Sequence, residues 1–192
     1  MKADPAEFFP DPGLLACWKI AARGHGEALR ELAQRDFDID RPGLEGVTLL
    51  HFAVAAGDLA AFSALLEAGA DPLRQVEEGE SVLGYAAAVA DPRFLAEALR
   101  RGIHPDGANA ALETPLHLAA RLGRREHAAL LLRHGASPDV QDEEGATPLL
   151  RAREEGHEAV AALLLEQGAD PALPDYAGRR PADFAASLSA RV

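Results

Sequence analysis

The feature that most constrains this 192-residue chain is a 33-residue spacing of glycine and proline. Glycines stand at Gly13, Gly46, Gly79, Gly145 and Gly178, with a second series at Gly24, Gly57, Gly123 and Gly156. Prolines stand at Pro72, Pro105, Pro138 and Pro171, each three residues after Gly69, Gly102, Gly135 and Gly168. Three series in one register mark a repeated supersecondary unit.

Between the punctuation, apolar residues recur at helical spacing, and each unit reads as two short helices. In the unit 112–144, Thr114 can cap a helix whose first turn holds Pro115, where a missing N–H costs nothing. Leu116, Leu118, Ala119 and Ala120 supply its apolar and small faces, and Gly123 ends it. A second helix carries Ala128, Leu130, Leu131 and Leu132. Gly135 can take the left-handed conformation past its end, and Pro138 forbids continuation. One such pair cannot bury its apolar faces alone, so it must stack on the pairs before and after it.

Charge narrows the partners. Acidic residues outnumber basic ones 31 to 19, for a formal charge of −12, which repels phosphate backbones and anionic lipid. Nucleic acid and membrane are therefore not expected as partners, and a basic or mixed apolar-basic protein surface is. The single cysteine, Cys17, excludes an internal disulfide and a thiolate metal cage, as a reducing cytoplasmic setting would favour. No run approaches the ~20 apolar residues of a membrane span or forms a secretory leader. Arginine far outnumbers lysine (only Lys2 and Lys19), as in a GC-rich bacterial genome.

Thr114-Pro115-Leu116-His117-Leu118-Ala119-Ala120 resembles the ankyrin-repeat signature in full, and Thr48-Leu49-Leu50-His51-Phe52-Ala53 and Thr147-Pro148-Leu149-Leu150-Arg151-Ala152 resemble degraded copies. The resemblance implies an all-α ankyrin-repeat solenoid of helix-turn-helix units joined by hairpin-like turns, with about five units and a terminal half repeat. Residues 1–12 are expected to run extended. A single domain is expected over 13–192: an N-terminal cap repeat at 13–45, repeats at 46–78, 79–111, 112–144 and 145–177, and a half repeat at 178–192. Asp183, Ser187, Ser189 and Arg191 are candidates for the polar outer face of that last half repeat.

The third unit departs from the pattern. Ser81-Val82-Leu83-Gly84-Tyr85 replaces the signature, Ala90-Asp91-Pro92 stands where a helix-ending glycine belongs, and Leu112 stands where the next tip glycine belongs. Two readings stand: drift in a repeat that still packs, or a surface reshaped between Tyr85 and Pro92 for a particular partner.

No common catalytic, phosphate-binding or metal motif is present, so no catalytic residue, cofactor or metal site is expected. The histidines have structural readings. The resemblance gives His51 and His117 a local hydrogen-bonding role and lets His25 and His157 open second helices. His127 and His134 share a helix face, too far apart to share a metal, and His104 replaces a turn aspartate. Cys17 aligns with core positions, and Trp18 reads as a cap residue. Phe8 and Phe9 either fold back onto that cap or stand exposed as an anchor.

The resemblance also implies where a protein partner sits. On the inner helix face the positions are Ala55, Ala56, Ala88, Val89, Arg121, Leu122, Glu154 and Glu155, with Tyr85 as an aromatic contact. At the turn tips they are Leu44, Glu45, Val47, Glu77, Glu78, Glu80, Ala110, Ala111, Glu113, Glu143, Glu144, Ala146, Tyr176, Ala177 and Arg179. Arg121, Arg124, Arg125, Arg133, Arg151 and Arg153 form a local basic cluster, read either as pairing with Glu126, Glu154, Glu155 and Glu158 at helical spacings, which is the leading expectation, or as taking an anionic ligand. A monomer that occludes or positions one protein is the leading expectation, as adaptor, inhibitor or immunity-type protein against a basic toxin or enzyme. Self-assembly through the half repeat is the alternative.

Overall fold

The structure, a computed structural model, describes residues 4–35, 37–74 and 81–188, with side chains as far as residue 184. It divides into two compact units, Met1–Ala86 and Ala87–Val192.

The first unit holds α1 (Pro5–Phe8), α2 (Pro12–Ala21), α3 (Gly26–Ala33), α4 (Leu49–Ala55) and α5 (Leu59–Ala68), and the division falls inside α6 (Val82–Ala88). The N-terminal segment is not extended throughout. Asp4 accepts a hydrogen bond from the Ala6 amide, and Pro5 opens α1 with φ already suited to a helix. The turn carries Phe8 and Phe9 back onto Phe52. Their ring centroids lie 5.3 and 5.4 Å from that of Phe52, and Trp18 stands edge-on to it at 4.7 Å. Such pairs add about 0.5–1.5 kcal/mol each beyond the area they bury. The fold-back reading of the two phenylalanines therefore holds. Cys17 is buried, and burial pushes its thiol up from the usual range.

The second unit holds α7 (Pro92–Arg100), α8 (Pro115–Arg121), α9 (Arg125–Arg133), α10 (Pro148–Glu154), α11 (Glu158–Glu166) and α12 (Pro181–Leu188). Helices α8, α10 and α12 pack in one row and α7, α9 and α11 in a second. Buried Leu116, Ala119, Ala128, Leu131, Leu149, Val160 and Leu164 fill the space between the rows. Ser189 and Arg191 lie outside the described residues, as does the side chain of Ser187; Asp183 is exposed.

One cap recurs at the 33-residue interval. Thr48, Thr114 and Thr147 accept from the third amide of the helix that follows, and Ser81 does the same for Gly84. The third unit has thus changed its letters and kept its cap, because serine supplies the same hydroxyl. The turns repeat as well. Asp40 accepts from the Asp71 amide, Asp106 from Ser137 and Asp139 from Asp170, each tying one unit to the next. Asp71 and Asp170 also accept from the amide two residues on, and at the matching position His104 uses its Nδ1 for the same bond.

Among the described residues two non-glycine residues take positive φ, both at tips: Glu45 at 56° and Leu112 at 58°. At the position of Leu112 other units have glycine, with φ of 72° at Gly46, 78° at Gly145 and 81° at Gly178. A side chain with Cβ pays about 1–2 kcal/mol for that conformation.

Candidate functional site

In the second unit three turn tips hydrogen-bond to one another. The Glu143 amide donates to the Ala111 carbonyl at 2.9 Å, and the Tyr176 amide donates to the Glu144 carbonyl at 3.0 Å. Each tip is closed by one side chain. Oδ1 of Asp142 accepts from the Glu144 and Ala146 amides, and Oδ1 of Asp175 accepts from Ala177 and Arg179. Asn109 closes the third in the same way, accepting from Ala111 and Glu113.

The second polar atom of each closing side chain differs in use. Oδ2 of Asp142 receives the Arg151 guanidinium at 2.9 and 2.6 Å, and Oδ2 of Asp175 receives Arg179 at 2.6 Å. Asn109 has an amide there, which donates to Glu113 at 3.3 Å. Asparagine thus replaces a carboxylate-arginine pair with an amide-glutamate one.

Beside the tips lies a groove of about 310 Å³ lined by Ala111, Glu113, Arg121, Asp142, Glu143, Glu144 and Arg151. Arg151 also binds Glu144 at 2.8 Å and Glu154 at 3.2 Å. Burial opposes its charge, but the hydrogen bonds it donates to Glu144 and Asp142 outweigh that and hold the guanidinium above its usual range. Arg121 is only loosely held, 3.6 Å from Glu113. Four carboxylates face two guanidinium groups, leaving the groove acidic.

The expected contact residues divide by burial. Leu44, Glu45, Ala55, Ala110, Arg121, Leu122, Glu143, Glu144, Glu155, Tyr176, Ala177 and Arg179 are exposed. Val47, Ala56, Tyr85, Ala88, Val89, Ala111 and Glu113 are half-buried, with the Tyr85 ring 6.5 Å from that of His51. Glu77, Glu78 and Glu80 lie outside the described residues. One expectation needs correction. Ala146 is fully buried, and its carbonyl faces Nε2 of His117 at 3.0 Å. Glu154 is half-buried and shared between Arg151 and Arg179, the latter at 2.5 Å, so its charge is balanced within the protein.

The arginine cluster pairs as expected at Arg151–Glu154 and Arg153–Glu158, whereas Glu126 and Glu155 make no ion pair among the described residues. Arg133 instead reaches the Ala129 carbonyl of its own helix, and Nε of Arg124 is buried without a partner among the described residues. His157 precedes α11 and its Nε2 meets the Arg121 carbonyl at 3.0 Å, joining two repeats. His127 and His134 differ in burial, His127 being 2 % exposed and His134 open to solvent.

A second groove, of about 580 Å³, lies in the first unit, lined by Pro5, Trp18, Ala22, Phe52, Ala56, Gly57, Asp58 and Leu59. Ala56 is a contact position expected from the sequence, whereas Trp18 reads there as a cap residue and Phe52 only as part of a degraded signature copy. Leu112 was passed over too: it is 55 % exposed, and its one signal in the sequence is the break it makes in a glycine series. Among the described residues no group of His, Cys, Asp and Glu is placed to hold a metal, and no helix is long and apolar enough to cross a membrane.

Two family models for ankyrin repeats match the chain, a three-copy model over residues 83–175 and a many-copy model over residues 17–66. Among solved structures, an ankyrin repeat protein from Enterococcus is 28 % identical, with 92 % of each chain covered and a TM-score of 0.76. An ankyrin repeat domain from Acinetobacter baumannii AYE is also 28 % identical over 92 % of each chain, with a TM-score of 0.78. No curated protein matches the chain by sequence.

Proposed function

The chain belongs to the ankyrin-repeat family, whose repeats are generally non-catalytic protein-interaction modules, and on that footing we propose that it binds one protein partner through its turn tips and inner helix faces. It works as an adaptor or inhibitor, by occluding or positioning what it holds. The observation that carries this reading is the acidic groove of the second unit, with exposed Leu122 and Tyr176 available as apolar contacts. Exposed ion pairs contribute about 0–1 kcal/mol each, so the acids select a basic partner and speed its approach while the apolar side chains supply affinity.

The partner presents a basic or mixed apolar-basic surface, such as that of a toxin or enzyme held inactive by an immunity-type protein. Similarity to proteins of Enterococcus and Acinetobacter and the arginine-rich composition favour a bacterial protein. The single cysteine favours the cytoplasm, and the proposed form is a monomer.

The test compares the natural chain with a variant carrying Leu122→Arg and Glu155→Arg, both exposed positions, as baits in a lysate of the source cell. One protein held by the natural chain and lost by the variant is the expected result. A protein held equally by both removes the inner face from the reading. Capture of nothing, with light scattering giving the mass of two chains, replaces the proposal with self-assembly.

A further inference from the structure

Leu112 combines two properties that a packing role does not explain. Its backbone is in the left-handed region at φ 58°, where Gly46, Gly145 and Gly178 stand in other units, and its side chain is 55 % exposed. Glycine would hold the same turn without strain. Nor does the turn require leucine, because it is closed by Asn109, whose Oδ1 takes the Ala111 and Glu113 amides and whose main-chain carbonyl takes the Leu112 amide at 3.0 Å. Strain held without a structural return is characteristic of positions that serve binding.

What surrounds Leu112 sets the chemistry of its partner. Its chain neighbours Ala111 and Glu113 line the 310 Å³ groove. The Glu143 amide is bonded to the Ala111 carbonyl, which brings the exposed carboxylates of the next tip alongside. Asp142 and Glu144 already hold Arg151, whereas Glu143 stands exposed at the rim.

We infer that Leu112 and the adjoining groove form a docking site for a segment of another protein that presents an apolar side chain next to a lysine or arginine. The apolar group covers Leu112 and the cation meets Glu143 at the mouth of the groove. This rests on the protein-binding reading above and adds an anchor, a location and a sequence preference to it.

The test selects from a displayed library of random nine-residue peptides on the natural protein. Enriched peptides are then measured by fluorescence anisotropy against the natural chain and the variants Leu112→Gly, Glu143→Lys and Leu122→Arg. The expected result is enrichment of an apolar residue beside lysine or arginine. Affinity should fall at least tenfold with Leu112→Gly and with Glu143→Lys. Leu112→Gly should also melt about 2–4 °C higher, because the strain is gone. A variant that binds less while folding better cannot owe its loss to misfolding. Peptides that bind Leu112→Gly unchanged but lose affinity with Leu122→Arg would overturn the inference and leave the general reading intact. Failure to enrich any peptide would overturn the inference, and the capture experiment with Leu122→Arg and Glu155→Arg then decides the general reading separately. A lower melting temperature for Leu112→Gly would make Leu112 a packing residue, and loss of self-association in that variant would replace the partner with a second copy of the chain.

Discussion

Nε2 of His117 meets the main-chain carbonyl of Ala146 at 3.0 Å, so a signature histidine of one repeat is tied to the tip of the next. A carbonyl can only accept, so Nε2 carries the proton and Nδ1 is the acceptor. Nδ1 lies 2.9 Å from the Thr114 hydroxyl and 3.1 Å from its amide. His117→Ala removes all of these bonds at a fully buried position. The expected cost is about 2–4 kcal/mol in urea unfolding, larger than for an exposed histidine such as His134.

Two histidines give the protein a defined acid sensitivity. Burial, then the nearby Arg124 charge, holds His127 below the usual imidazole range, with Glu126 and Asp91 acting weakly in the opposite sense. Burial also lowers His117, against its bond to Ala146. A lowered folded-state value means that the unfolded chain binds more protons just below the ordinary histidine range. Stability is therefore full above about pH 6.5 and falls as pH drops toward the lower folded values, by at most about 1.4 kcal/mol per pH unit for each histidine. At the equivalent positions Ala61, Phe94 and Val160 are buried and apolar. His127→Val is expected to flatten the fall in melting temperature between pH 7 and pH 5; an unchanged slope would remove His127 from this account.

Gly123 and Gly156 have similar positive φ, 66° and 74°, but different surroundings. A Cβ on Gly123 would lie 2.7 Å from Nδ1 of His157, and one on Gly156 would meet nothing within 4 Å. Gly156→Ala is expected to cost only the conformational term, about 1–2 kcal/mol. Gly123→Ala should cost about 1–3 kcal/mol more, since His157 must leave its bond to Arg121. Paired thermal denaturation of the two variants checks the difference.

Asp142 and Asn109 do the same work at tips 33 residues apart, so Asp142→Asn should keep the tip's main-chain bonds. What it loses is the pair with Arg151. Arg151→Met is the harsher change, because it leaves the Asp142 side chain, only 1 % exposed, without its cation. The expected losses are about 1–2 kcal/mol for Asp142→Asn and about 3 kcal/mol for Arg151→Met. The double variant should cost less than the two together, which a double-mutant cycle in urea would show.

The helix pairs, their caps and the apolar rows between them were legible in the residues. Thr48, Thr114 and Thr147 cap helices through bonds to amides three residues away, and such local geometry follows from residue type at fixed spacing. Ser81 was harder to read, because its neighbours had lost the signature while the one atom that caps remained. The candidate site was legible only in outline. Exposed Leu122, Glu143 and Tyr176 stand at positions implied by the repeat register, but that register also pointed to Ala146, which is buried, and passed over Leu112.

What the sequence by itself determined is the repeated unit: its length, its helix pairs and the rows of alanine and leucine that make stacking compulsory. Tertiary structure alone decided which polar and exposed groups remain available. The pairing of Glu154 with Arg151, three residues before it, follows from helical spacing, but Arg179, 25 residues away, reaches the same carboxylate only in the folded chain, and Leu112 looks like drift until its backbone is seen to be strained and its side chain left in water. Helix propensity and capping act within a few residues, whereas burial and charge pairing depend on what the next repeat brings alongside.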